Sequence, residues 1–369
     1  MSDTSPDGTA VMKTYREIEA ALTAPGAAFE LVNLEVDGDV FPVYRNAADN
    51  LYDMLSVHDA DHADVVMIAD DDRVMTYGAV HEAARRFAGG LAQRYGVGPG
   101  TRVGIMMANR AAYVVALIAI TRLGAVAVLY NSRATPTEAR QAMEDVPSEV
   151  VVADGKRAGL LVLIDNAPPL IVGDPDESEA PVMWDLIRWS PEGPHRRVAP
   201  DNTCLILFTS GTSGSAKGAM LTHRCITSVV KNMEFVAETN LEFASRNYGI
   251  PVDDLRAYSP RLSTLLVYPL FHVSGIASIM TVMNSGGVIV PMPRWERVYR
   301  RRRRTQRLPG HLGPDVADHA GAGDHRRRRR SGNRTDRRTS IEGRHGDHRI
   351  PECSRGNRAE LRRNLVPNR

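Results

Sequence analysis

The chain has 369 residues, 43% of them apolar, which is typical of a globular protein with room for two domains. Residues 1–293 carry 23 Lys and Arg against 35 Asp and Glu, a net charge of −12; residues 294–369 carry 23 Arg, no Lys and nine acids, a net charge of +14. Three widely spaced cysteines are too few for a disulfide framework. The first residues are polar and show no secretory signal. The apolar run 111–130 is interrupted by Arg122 and Gly124 and does not suit a membrane span. We therefore expect a reduced, cytoplasmic protein.

Regular structure is predicted from about residue 65, after a weakly patterned segment at 1–50. Apolar residues at three-and-four spacing predict an amphipathic helix that Thr76 caps and Gly96 stops. A β-rich run precedes this helix at 65–69. After the helix, the sequence predicts a strand, a buried helix and a second strand at 102–107, 111–123 and 125–129.

A further helix is predicted by the start signal at Thr135, Pro136 and Glu138. Thr135 can cap the helix, proline suits its first position, and Glu138 can reach back to the cap. Short apolar runs follow at 150–153, 160–164 and 170–172, which we interpret as strands. Alternating helices and strands predict parallel βαβ units, and strands that are apolar throughout predict a sheet covered on both faces.

A glycine-rich loop follows the predicted buried strand 204–208, beyond a Pro- and charge-rich connection at 174–200. Glycines let the backbone approach oxygen atoms, hydroxyls donate hydrogen bonds and lysine adds positive charge, which together suit a polyphosphate. The loop is not a P-loop, because Ala216 and Gly218 replace two required residues. A flexible linker is the alternative, but a following helix capped by Thr222 favours a binding site. The candidate phosphate-binding residues are Thr209, Ser210, Gly211, Thr212, Ser213, Gly214, Ser215, Lys217 and Gly218.

Residues 208–218 closely resemble the phosphate loop of AMP-forming acyl-CoA synthetases, adenylate-forming ligases related to luciferases and to the adenylation domains of peptide synthetases. Ala216 replaces the usual proline of that family and leaves the donors unchanged. A second resemblance is the run 269–275, which follows an apolar strand at 264–268 and in the family lines the acyl and adenylate pocket. Taken alone, a histidine here would more often be a hydrogen-bonded core residue. The resemblance assigns this pocket to Phe271, His272, Val273 and Gly275.

The resemblance covers about residues 51–293 and implies an α/β fold, the layered αβαβα N-terminal domain of an adenylate-forming enzyme. We expect subdomains at 51–200 and 201–293 within it. The implied reaction is ATP-dependent, AMP-forming activation of a carboxylic acid, most commonly a fatty acid, followed by transfer to CoA with Mg²⁺ on the phosphates. No resident metal site, nucleic-acid partner or oligomeric state is implied. The magnesium-binding Glu and lid lysine of the family have no counterpart here, so catalytic residues stay unassigned and we expect a truncated, impaired ligase.

Residues 294–369 depart from the family, since they are Arg-rich and lack apolar periodicity. Such a segment cannot bury enough apolar surface to offset chain entropy, so we predict disorder. Out-of-frame translation is the favoured explanation, because natural basic arms usually mix Lys with Arg. A basic arm that binds nucleic acid or anionic lipid is one alternative. A non-catalytic nucleotide-binding protein is the other.

Overall fold

The computed structural model describes residues 8–36, 38–70, 73–173, 180–209, 217–259 and 261–292. Contacts group residues 1–36 and 40–296 into one unit, and residues 37–39 and 297–369 into a second. Of the second unit, only Gly38 and Asp39 are among the described residues. The predictions made above for 294–369 therefore concern residues outside the described part of the chain and stay predictions.

Helices and strands alternate along most of the described chain. The elements up to the middle of the chain are α1 (Gly8–Thr23), β1 (Leu31–Val36), β2 (Asp39–Tyr44), α2 (Leu51–Leu55), β3 (Val66–Asp70), β4 (Arg73–Thr76), α3 (Tyr77–Tyr95), β5 (Arg102–Met106), α4 (Ala111–Arg122), β6 (Val126–Leu129), α5 (Pro136–Asp145), β7 (Val150–Ala153), α6 (Gly155–Leu161) and β8 (Leu170–Val172). The remaining elements are α7 (Met183–Trp189), β9 (Thr203–Thr209), β10 (Lys217–Thr222), α8 (His223–Tyr248), α9 (Val252–Tyr258), β11 (Ser263–Leu266), α10 (Val273–Asn284) and β12 (Val288–Pro291).

Helix caps form where the sequence predicted them. The Thr76 side chain accepts from the backbone of Ala79 at the start of α3, and Gly96 ends that helix at a positive φ of 65°. Thr135 and Glu138 form the predicted capping box of α5, with Pro136 at its first position. These short-range signals fix the helix limits because each satisfies backbone groups that the helix leaves unpaired.

The larger of the two main sheets has six strands, in the order β10-β9-β6-β5-β7-β8. Its strands are parallel except for β10, which returns antiparallel to β9. Side chains of β5 to β9 alternate between two buried clusters, one shared with α3 and α4 and the other with α5 and α6. Burial on both faces explains the continuous apolar strands and confirms the predicted α/β class.

A four-stranded sheet, in the order β11-β12-β3-β4, packs against the same core as the larger sheet. Helices α3 and α4 contact each other, α3 contacts β3 and β4, and α4 contacts β5 and β6. Residues 111–121 of α4 are buried on every side, as expected for a helix between two sheets. Both sheets take strands from before and after residue 200, so the predicted segments 51–200 and 201–293 share their sheets.

Two sequence interpretations are corrected by the fold. The run 160–164, interpreted as a strand, forms the end of α6 and the turn after it, because Asp154 caps this helix and accepts from the backbone of Arg157. The connection 174–200 contains α7, whose Met183 and Leu186 are buried and which packs against α3. In both places tertiary packing decides the structure of a run too short to show periodicity.

The first fifty residues carry more structure than their weak pattern indicated. Helix α1 buries Ile18 and stacks Tyr15 on Phe243 of α8, with 4.4 Å between the ring centroids. Strands β1 and β2 pair in a separate two-stranded sheet. These elements depend on long-range contacts that a local reading of the sequence does not contain. Among the described helices, none has the length and hydropathy that a membrane span requires.

His223, the first residue of α8, is a buried titratable group directly after β10. Its side chain has no solvent exposure, and its Nδ1 accepts a 2.9 Å hydrogen bond from the backbone N–H of Leu51. Burial, partly opposed by the charge of Asp53, lowers the pKa of His223 to about 4. The histidine is therefore neutral in the folded protein at neutral pH.

We expect the free energy of unfolding to fall when the pH is lowered from 7 to 5. Histidine in the unfolded chain titrates near pH 6.5 and folded His223 near pH 4, so the unfolded state takes up the proton first. The contribution of His223 is complete above about pH 6.5, and about 2 kcal/mol of it is lost by pH 5. Urea denaturation at both pH values should show a smaller loss in His223→Gln than in the wild type; equal losses would contradict the assignment.

Candidate functional site

The glycine-rich loop begins and ends at the carboxyl edge of the six-stranded sheet. Thr209 is the last residue of β9, Lys217 is the first of β10, and the two are register partners. The Thr209 hydroxyl donates to the carbonyl of Lys217 at 3.4 Å, and both residues are exposed. Ligands of open α/β sheets commonly bind outside this edge, and the side chain of Lys217 is exposed there. The other predicted loop residues, Ser210, Gly211, Thr212, Ser213, Gly214 and Ser215, lie outside the described residues.

Aromatic stacking supports the base of this loop. Phe208 stacks on Tyr130, which follows β6, with ring centroids 5.5 Å apart. The Tyr130 hydroxyl donates to the carbonyl of Val146, and burial raises the pKa of Tyr130 to about 12. Gly218 lies opposite Phe208, where a Cβ would approach Val146 Cγ2 to 2.8 Å. A side chain at Gly218, the second residue of β10, would therefore have to displace Val146.

The second predicted motif forms a tight turn into α10. His272 caps this helix: its Nδ1 accepts from the backbone N–H of Ser274 at 3.4 Å and lies 2.9 Å from the Ser274 hydroxyl. Because Nδ1 accepts, a neutral His272 carries its proton on Nε2, and the side chain is exposed. Gly275 is buried, and a Cβ there would lie 2.1 Å from the carbonyl oxygen of Pro269. Phe271 is half-buried against the core and Val273 is exposed.

Sequence reasoning missed a buried residue that contacts this turn. Asn109, three residues after β5, is only 6% exposed. Its Nδ2 donates to the carbonyls of Leu266 and Tyr268, and its Oδ1 accepts from the backbone N–H of Leu270. The sequence held one indication of this residue, an asparagine between an apolar strand and an apolar helix. A polar side chain buried at such a position needs hydrogen-bond partners.

The two sheets meet at their carboxyl edges around this asparagine. Asn109 follows β5 of the larger sheet and bonds the chain after β11 of the smaller one. Asp70, at the end of β3, accepts from the backbone N–H of Ala111 at 3.1 Å and joins the sheets a second time. Strand β9 lies two positions from β5 in the sheet order, about 10 Å away at ordinary strand spacing. Thr209 and Lys217, here called the phosphate-loop ends, thus lie at the carboxyl edge of the larger sheet, and the His272 turn follows β11 of the smaller sheet, where Asn109 joins the two.

The described residues contain no cluster of three or more His, Cys, Asp or Glu that could hold a metal ion. The exposed polar groups of the site are instead a lysine, a threonine hydroxyl and a histidine N–H donor. These groups suit an anionic ligand.

Solved structures share this α/β fold. The N-terminal domain of FACL13 from Mycobacterium tuberculosis superposes with a TM-score of 0.55 at 22% identity, covering 68% of this chain and 58% of that one. An anthranilate CoA ligase superposes with a TM-score of 0.54 at 22% identity, covering 68% and 46%. The chain belongs to the family of AMP-binding enzymes, whose family model matches residues 55–309.

Curated relatives of the chain are CoA ligases. 4-Coumarate–CoA ligase 2 of Oryza sativa subsp. japonica is 27% identical over 252 residues, which cover 63% of this chain and 42% of the relative. Feruloyl-CoA synthase of an Amycolatopsis species is 30% identical over 220 residues, covering 58% and 38%. The chain spans less than half the length of these relatives. The comparisons confirm the family resemblance stated from the two sequence motifs.

Proposed function

We propose that this chain provides the ATP- and carboxylate-binding part of an AMP-forming acyl-CoA ligase. The observation that carries the proposal is that both motifs lie at carboxyl edges of sheets: Thr209 and Lys217 at that of the larger sheet, and the His272 turn after β11 of the smaller sheet, which Asn109 joins to the chain after β5. Lys217 and Thr209 would contact the β- and γ-phosphates of ATP. The N–H of His272 Nε2 would orient the substrate carboxylate. The family names in the comparisons support ATP and CoA as the other reactants.

The proposed reaction has two balanced steps. A carboxylate oxygen attacks the α-phosphorus of ATP, the bond to the β-phosphate oxygen breaks, and acyl-AMP and pyrophosphate form. The thiolate of CoA then attacks the acyl carbon, and AMP leaves with the bridging oxygen. In the first step a cation such as Lys217 would balance the charge that develops on pyrophosphate.

The proposed acid substrate is a carboxylic acid with an apolar acyl group. Fatty acids are the substrates expected from the sequence resemblance, and 4-coumarate and ferulate appear in the names of curated relatives. Phe271 and Val273 offer apolar surface beside His272, which suits an apolar acyl group of either kind. Both classes therefore belong in the test.

Titration calorimetry tests the proposal with Mg-ATP and with three stable acyl-AMP mimics, the dodecanoyl, benzoyl and 4-coumaroyl sulfamoyl adenosines. We expect Mg-ATP to bind and at least one mimic to bind more tightly than AMP, since it fills both halves of the site. AMP alone is the control for the nucleotide half. Binding of Mg-ATP without any gain from an acyl group would favour the non-catalytic nucleotide-binding alternative. The proposal is contradicted if Mg-ATP does not bind and no mimic binds more tightly than AMP.

A further inference from the structure

We propose that Asn109 is a positioning residue that sets the carboxylate-binding turn against the nucleotide-binding edge of the larger sheet. The inference rests on the proposed function and adds a specific residue to it. The residue lies outside both sequence motifs, on the loop that follows β5. Three backbone groups around the turn bond to its side chain, and the arrangement has four parts.

The first part is the set of hydrogen bonds. Asn109 Nδ2 donates at 3.0 Å to the carbonyl of Leu266 and at 2.8 Å to that of Tyr268, and Oδ1 accepts at 2.9 Å from the N–H of Leu270. A side-chain amide is suited to this position because it offers two donors and an acceptor on one rigid plane. A carboxylate of the same shape could accept from Leu270 but could not donate to the two carbonyls.

The second part is the location of the bonded groups. Leu266 is the last residue of β11, which lies at one edge of the four-stranded sheet. The chain leaves the sheet there, so the groups from Leu266 to Leu270 need partners outside the strand ladder. Asn109 supplies them. The Tyr268 side chain remains 56% exposed while its carbonyl is held, and Leu270 is buried and anchors the turn in the core.

The third part is the support behind Asn109. The neighbouring backbone N–H of Ala108 donates at 2.8 Å to Oδ2 of Asp154, which follows β7 and is only 2% exposed. Arg157 pairs with the same carboxylate at 3.0 Å and donates from Nε to the carbonyl of Ser132. The loops after β5, β6 and β7 are thus tied together. A side chain held on such a base can transmit the geometry of the larger sheet to the turn.

The fourth part is the separation from the phosphate-binding groups. Thr209 and Lys217 are held by β9 and β10 of the larger sheet, and their contact does not involve Asn109. Loss of the Asn109 amide should therefore move the turn and His272 while it leaves the phosphate-loop ends in place. The predicted signature is a loss of affinity for the acyl half of the ligand with little change for ATP, because binding and reactivity fall steeply when groups are misplaced by about 1 Å.

The test compares Asn109→Asp and Asn109→Leu with Asn247→Asp as a control for the same substitution. Asn247 lies near the end of α8, is exposed, and belongs to neither motif. The probes are Mg-ATP and whichever of the dodecanoyl, benzoyl and 4-coumaroyl sulfamoyl adenosines binds the wild type most tightly. We expect both Asn109 variants to lose roughly tenfold or more for the mimic and less than about twofold for Mg-ATP, with Asn247→Asp unchanged for both.

Hydrogen exchange of the wild type tests the same contact without any substitution, so it also applies if an Asn109 variant fails to fold. The Leu270 amide of the wild type should be protected, because it donates to Asn109 Oδ1. Unprotected exchange of that amide in the folded wild type would overturn the inference, as would equal losses for Mg-ATP and the mimic in a folded variant. A wild type that binds Mg-ATP but no mimic more tightly than AMP would instead overturn the proposed function, and with it the role given to Asn109.

Discussion

Gly275→Ala is expected to lower the free energy of unfolding by roughly 2–4 kcal/mol and to weaken binding of the acyl-AMP mimic. A Cβ at this position would lie 2.1 Å from the carbonyl oxygen of Pro269 and 2.6 Å from its carbon, and both are backbone atoms. The turn has little room to yield. Leu270 is buried beside it, Asn109 holds its start, and the cap at His272 holds its end. Relief of the clash must therefore displace α10 or the turn itself.

Gly159→Ala is the matched control for this prediction. Gly159 lies inside α6, and a Cβ there would meet nothing within 4 Å. Alanine favours helix over glycine by roughly 0.8–1.0 kcal/mol, so this variant should be as stable as the wild type or slightly more stable. Urea denaturation of the three proteins measures the difference. The steric account of the turn is wrong if both substitutions change stability by the same amount.

Lys217→Met is expected to weaken Mg-ATP binding by roughly tenfold to a hundredfold, the range for loss of a hydrogen bond to a charged group. Lys217 is the first residue of β10 and is exposed at the carboxyl edge, opposite Thr209. Methionine keeps most of the side-chain length and removes the charge. Since the lysine is exposed, the free energy of unfolding should change by less than about 0.5 kcal/mol.

Lys13→Met provides the comparison for Lys217→Met. Lys13 is exposed on α1, so the variant removes the same charge from the protein without touching the phosphate-loop ends. Titration of both variants with Mg-ATP at fixed ionic strength separates a local contact from a general effect of net charge. Similar affinities for the two variants would show that Lys217 does not contact the phosphates.

The elements that the sequence predicted well are those with complete local signals. Helix α3 has both an apolar face and two caps, and α5 has a capping box, so their limits follow from short stretches of chain. The strands β5, β6 and β7 could be predicted because strands buried on both faces are apolar at nearly every position. Helices α6 and α7 could not, since each has only seven residues and is stabilised by packing on distant elements.

The same contrast holds for the site. Both motifs could be found in the sequence, because glycines, hydroxyls and a lysine at close spacing carry their own chemical meaning. The structure places Thr209 and Lys217 at the ends of β9 and β10, and His272 and Gly275 at the start of α10. Neither β10 nor α10 was predicted from these motifs. Asn109 could not be found in this way. Its partners are more than 150 residues away along the chain, and its role depends on how two sheets meet.

A crystal structure of the chain with its tightest-binding acyl sulfamoyl adenosine tests the central claim most directly. We predict that the adenylate lies along the carboxyl edge of the six-stranded sheet, with the acyl group beside His272. The sulfamate, which replaces the α-phosphate, should lie between His272 and the phosphate-loop ends. Asn109 should keep its three bonds to the turn in that complex. A ligand bound elsewhere on the protein, or one that leaves both 209–217 and 269–275 without contact, would contradict the account.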